Sequence, residues 1–117
     1  MRMRDILAAF GFNLYRADGR WYACQPGERP GWHTYSAGHW RDLIEKVVPP
    51  PPIMRTPGSI KAWAWECIAA CHSAVIDTEA LARAAFAAYD AVPTDDELKA
   101  FVNACKIDRR RVMEFLG

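Results

Sequence analysis

Four consecutive prolines, Pro49 to Pro52, constrain this chain more than any other feature. Proline has no N–H to give a helix or a sheet ladder, and its ring fixes φ, so such a run holds an extended polyproline II course. With Ile53 to Gly58 it makes a semi-rigid connector over residues 49–58. The flanks are patterned differently. The expected organisation is a mixed unit over 1–48, the connector, and a helical unit over 59–117, packed together as one compact protein. At 117 residues the chain is sized for one core. A chain of this length can bury roughly two-thirds of its unfolded surface without help from disulfides or metal.

Residues 1–48 switch between helical and strand periods. Ile6, Leu7 and Phe10 share one face of a short helix that Gly11 can end. Asn13–Arg16 and Trp21–Cys24 flank Ala17-Asp18-Gly19-Arg20, and Asp-Gly supplies the positive φ angles of a tight turn, so a β-hairpin is predicted. A Pro/Gly-punctuated loop over 25–31 leads to a third strand over 32–36. After Gly38 the period becomes helical, with Trp40, Leu43, Ile44 and Val47 on one stripe. The order reads α-β-β-β-α with a small antiparallel sheet.

The remainder reads as about four short helices. Ser59 is a candidate cap for a helix to about His72, with Ile60, Ala64, Cys67, Cys71 and Val75 on one side. Trp65, Ala69, His72 and Ile76 make a second apolar side, which predicts a helix buried between neighbours. Thr78 opens an Ala-rich helix holding Leu81, Ala85, Phe86, Ala88 and Tyr89, whose small residues admit a close neighbour. Thr94-Asp95-Asp96-Glu97 is a capping box for a helix carrying Leu98, Phe101, Val102 and Cys105. Asp108 is a candidate cap for a last helix with Val112, Phe115 and Leu116. The fold class is α+β.

Charge and composition narrow the function. Net charge is +1, and neither half departs far from balance: seven Lys/Arg face five Asp/Glu over 1–48, and eight face nine over 49–117. A protein that lives on phosphate backbones tilts such counts, so any basic footprint here is local. The apolar run Ile6–Phe10 is too short for a signal-peptide core. No uncharged stretch reaches the roughly 18 residues a spanning helix needs, so no membrane role is expected. The expected address is the cytoplasm, with Cys24, Cys67, Cys71 and Cys105 as reduced thiols.

Catalytic and cofactor signatures are missing: there is no Gly-x-Ser-x-Gly elbow, no His-Glu-x-x-His and no phosphate-cradling glycine loop. A non-enzymatic protein without a cofactor is expected. Cys67 and Cys71, with His72 beside them and Cys24, His33 and His39 elsewhere, have the right atoms for a metal. They lack the short-turn spacing of a zinc site, so these cysteines read as core residues and no metal is expected.

Val102, Lys106, Ile107, Asp108, Val112 and Phe115 occupy positions that resemble a helix-turn-helix unit, although Lys106 stands where glycine makes the turn. The resemblance implies a second helix presenting Arg109, Arg110 and Arg111 to base edges. The α-β-β-β-α order resembles double-stranded-RNA-binding domains in topology alone. His39-Trp40-Arg41-Asp42 replaces their basic cluster, so RNA binding is not expected.

The strongest candidate site lies in the aromatic segment between Trp21 and Trp40. Alternation on a strand puts Trp21 and Ala23 on one sheet face and Tyr22 and Cys24 on the other, so an aromatic is expected near solvent. Trp, Tyr and Arg are the residues from which binding hot spots are built. The candidate protein-binding residues are Trp21, Tyr22, Arg29, Trp32, His33, Tyr35 and Trp40. The leading expectation is a binding protein for a protein complex, of prokaryotic or phage origin, such as an anti-CRISPR-type inhibitor of a host defence complex. A DNA-binding regulator using Arg109–Arg111 is the alternative, and either a monomer or a homodimer is compatible with the sequence.

Overall fold

Gly11 decides how the chain leaves its first helix. In the computed structural model, which describes residues 1–26, 35–73 and 75–116 with side chains through Lys106, α1 spans Met3–Ala9. Gly11 follows with φ +84 and turns the chain into β1, Asn13–Ala17. Asp18 and Gly19, at φ 51 and 73, close a two-residue turn into β2, Arg20–Cys24. That pair of positive φ angles matches the right-handed twist of a hairpin. β2 pairs antiparallel with β1, Arg16 opposite Trp21, and with β3, Tyr35–Ala37, so the sheet order is β1-β2-β3. α2, Trp40–Val47, completes the α-β-β-β-α order.

Three helices follow the connector. α3, Pro57–Ala70, begins earlier than the Ser59 cap predicts. Thr56 is the N-cap, Pro57 takes the first turn, where its missing N–H costs nothing, and Ser59 completes the capping box. α4 spans Thr78–Ala87, capped by Asp77, whose carboxylate accepts from Ala80 N–H at 3.1 Å. α5 runs unbroken from Asp95 to Leu116. Its capping box is the one read from sequence: Glu97 accepts from Thr94 N–H at 3.0 Å, and Thr94 Oγ1 accepts from Glu97 N–H at 3.1 Å.

The continuity of α5 corrects two expectations. The last two short helices are one, and the turn at Lys106–Asp108 required by a helix-turn-helix does not exist. Residues 95–116 contain neither Gly nor Pro, so nothing obliges the helix to stop at a lone Asp.

The sheet packs one face on α1 and α2, α1 meets α4, and α3 meets α5. Side chains from both sides of the connector form one buried cluster, from Leu7, Phe10, Leu43 and Ile44 to Ile60, Trp63, Phe86 and Phe101. Each such side chain contributes roughly 1.5–3 kcal/mol of transfer free energy.

The proline run is fixed where it leaves α2. Prolines offer no donors, and the two carbonyls entering the run are taken by side chains from the helical half. Tyr89 Oη donates to Val48 O at 2.5 Å, and Trp63 Nε1 donates to Pro49 O at 2.9 Å. Burial, then the nearby Glu45 charge, pushes the Tyr89 phenol up to about 12 from its ordinary 10.0. The folded state therefore holds this proton more tightly than the unfolded chain. The associated stability is fully present below pH ~10 and is lost as pH rises toward ~12. Urea titrations across this range are expected to show stability falling with pH in the native chain and a shallower fall in Tyr89→Phe. Equal slopes would refute the assignment.

Candidate aromatic groove

The hairpin register divides the aromatic residues of the sheet as strand alternation demands. Leu14, Arg16, Trp21, Ala23, Tyr35 and Ala37 occupy the face toward the helices. Tyr15 and Tyr22 are directly opposed on the other face, ring centroids 5.2 Å apart. Tyr35 belongs to the packing, with its ring edge-on to Phe12 at 5.7 Å. Trp21 packs partly on the core while the Arg16 guanidinium covers its ring at 4.7 Å.

Trp40 stands at the exposed end of the α2 stripe. Leu43, Ile44 and Val47 are buried, but Trp40 remains 38% exposed. His39 is the N-cap of α2, its Nδ1 accepting from Arg41 N–H at 3.2 Å. The His39 ring stacks on Trp40 at 5.6 Å and the Arg41 guanidinium lies over the indole at 4.7 Å. His39, a possible metal ligand by residue type, is thus used as a cap and a support for Trp40.

Trp21 and Trp40, nineteen positions apart in sequence, meet along one groove of about 340 Å³ lined also by Met1, Met3, Ile6, Ile44 and Ala88. Arg41 and Asp90 close its rim as an exposed ion pair at 3.3 Å. Asp90 reaches this position from the end of α4, where it takes a left-handed φ of 53 and its N–H bonds back to Ala87 O at 3.1 Å. The pair adds little stability at such exposure, but it places a donor fork and an acceptor beside an apolar cleft.

The other candidates divide into three groups. Arg29, Trp32 and His33 lie outside the described residues, as do the side chains of Arg109, Arg110 and Arg111 near the end of α5. Tyr22 and Tyr35 belong to the sheet and are not in the groove. Trp21 and Trp40 are the two that the fold brings together. Sequence reasoning missed Met1, Met3, Arg41 and Asp90; Arg41 carried a signal, since it adjoins a Trp in the first turn of an amphipathic helix.

Two of the four thiols are sealed in the core. Cys67 and Cys105 are fully buried, and burial pushes the Cys67 thiol well above the ordinary cysteine range, with the neighbouring Cys105 adding to the shift. Cys71 Sγ lies 3.5 Å from Ala9 O as a donor. Among the described residues no group of three His, Cys, Asp or Glu side chains is placed to hold a metal ion, and no helix is long and apolar enough to cross a membrane. Comparison with protein-family models, curated proteins and solved structures finds no match to this chain.

Proposed function

We propose that this chain is a non-enzymatic binding module whose Trp21–Trp40 groove takes an apolar side chain of a partner protein. The observation that carries this reading is the groove itself. Two tryptophans, two methionines and an Arg–Asp pair converge there, the combination of anchor, adaptable and orienting groups that protein interfaces use. The inert burial of Cys67 favours binding over thiol catalysis. The reading places the chain in the cytoplasm, its thiols reduced, and an inhibitor of a prokaryotic defence complex of phage origin is one such module.

The test is co-purification with and without nuclease, followed by affinity measurements on the recovered complex. A protein partner should survive nuclease, and binding should fall only weakly with added salt. Trp40→Ala is expected to weaken binding by about 2 kcal/mol or more while the melting temperature barely moves. Retained affinity in that variant, or a partner removed by nuclease, would overturn the reading.

A further inference from the structure

We propose that the free edge of β1 is an interface between two copies of this chain, which join antiparallel about a twofold axis at Tyr15 so that their sheets become one. β1 contributes no residue to the Trp21–Trp40 groove, and the proposal does not depend on that groove.

The hairpin register shows which backbone groups are free. A two-residue turn makes its flanking residues, Ala17 and Arg20, a hydrogen-bonded pair, and bonded and non-bonded pairs then alternate along the ladder. Asn13, Tyr15 and Ala17 therefore direct their N–H and C=O groups at β2, while Leu14 and Arg16 direct theirs away from it. Neither outward pair of groups has a hydrogen-bond partner among the described residues. At the outward position before them, Phe12 N–H donates to Leu7 O at 2.9 Å, so α1 closes the edge there.

The opposite edge of the sheet is guarded. On β3, Tyr35 and Ala37 bond to β2, which turns the groups of Ser36 outward. Lys46 Nζ donates to Ser36 O at 2.7 Å, and a lysine over an edge carbonyl is one device that stops a sheet from growing. β1 has no such guard among the described residues. Its one charged residue, Arg16, lays its guanidinium over the Trp21 ring at 4.7 Å, toward β2 and away from the free edge.

An extended strand completes such an edge, and a second β1 has the required spacing and charge. With the axis at Tyr15, Leu14 stands opposite Arg16 of the second copy in both directions, and every outward N–H and C=O finds a partner. Moving the axis to Arg16 opposes like charges directly. Moving it to Leu14 sets Arg16 against Phe12, whose N–H is already taken. Charge and hydrogen bonding thus select one register. On the outer face Tyr15 already meets Tyr22 at 5.2 Å, and the axis brings the second copy's Tyr15 beside that pair. A junction of one short strand buries less than the roughly 1,200 Å² of a stable interface, so the dimer forms in the high micromolar range rather than at trace concentration.

Sedimentation and amide exchange on the purified chain, from micromolar to millimolar concentration, test this. A monomer–dimer equilibrium is expected. The Leu14 and Arg16 amides should slow about tenfold or more as the dimer forms, while the Tyr15 amide, already bonded to β2, changes little. Arg16→Pro removes an outward N–H without touching the β1–β2 ladder and should abolish the dimer. Arg16→Ala keeps that N–H and should retain it. Tyr15→Lys sets like charges across the axis and should dissociate the copies with the backbone unaltered. Trp40→Ala should leave the dimer unchanged, which separates this proposal from the groove. A chain still monomeric at millimolar concentration, with fast Leu14 and Arg16 amides, overturns the proposal, as does a dimer that survives either Arg16→Pro or Tyr15→Lys. So does a monomer in which a co-purified protein slows those two amides, since the edge would then serve a different strand.

Discussion

Gly11→Ala is expected to lower stability by about 3–5 kcal/mol, an unusually large loss for adding one methyl group. Two effects combine. Gly11 sits at φ +84, where a Cβ is strained, and a Cβ built there would lie 2.6 Å from His72 C and 3.1 Å from His72 Cα. Those are backbone atoms and cannot rotate aside. Nor is the opposing chain free to retreat. His72 N–H donates to Phe10 O at 3.0 Å, the His72 ring meets Phe12 edge-on at 5.2 Å, and His72 Nδ1 is 3.1 Å from Gln25 Nε2. This seam ties the end of α3 to the α1–β1 corner. Gly19 supplies the control, because it has φ +73 but no atom within 4 Å of its would-be Cβ. Gly19→Ala should cost only the backbone strain, of order 1 kcal/mol. Urea unfolding of the two variants isolates the contact, and equal losses would show that the seam yields.

The hairpin was legible because Asp18-Gly19 must take positive φ, and alternation about that turn put Trp21 and Tyr22 on opposite faces; which of them faces the helices emerges only from the packing. The α5 start was legible for a similar reason, since Thr94 and Glu97 satisfy each other's exposed N–H groups. Its end was not. Leu98, Cys105 and Val112 recur at seven residues, as do Phe101 and Phe115 at twice seven, which is one helical stripe crossed by a polar Asp108. A residue that can cap competes there with a period that continues, and the period wins. The α3 start was misplaced for a related reason. Ser59 can cap, but Thr56-Pro57 upstream is the stronger signal, and Ser59 serves at the third helical position.

The candidate site was legible in its residue types but not in its assembly. Sequence alternation separates Trp21 from Tyr22 without saying which face packs, and the α2 period marks Trp40 as part of an apolar stripe. That both open onto one groove depends on how α2 crosses the sheet and on the turn at Asp90, neither of which is a local property. Tyr35 was a candidate for the same surface, yet its pairing opposite Ala23 directs it to the packed face. Ile60, Trp63, Ala64 and Cys67 form the i, i+3, i+4, i+7 stripe of α3, whereas the stripe Ile60, Ala64, Cys67 and Cys71 expected from sequence omits Trp63, the largest fully buried side chain among the described residues.

That side chain gives the second large expected effect. Trp63 is 2% exposed, edge-on to Phe86 at 4.9 Å and to Phe101 at 5.3 Å, so it joins α3 to both α4 and α5. Trp63→Ala should cost about 3–5 kcal/mol, because three helices meet around the cavity and cannot all close upon it. Trp63→Phe separates packing from hydrogen bonding. The ring largely remains, but Pro49 O loses its donor, for an expected cost of about 1–3 kcal/mol. Tyr89→Phe removes the donor to the preceding carbonyl at about 1 kcal/mol. Because both donors hold the same stretch of connector, releasing one lowers what the other can still secure. The double variant should therefore lose less than the sum of the singles. Additive losses would mean that Val48 and Pro49 are held independently, and the start of the connector would not then act as a single rigid element.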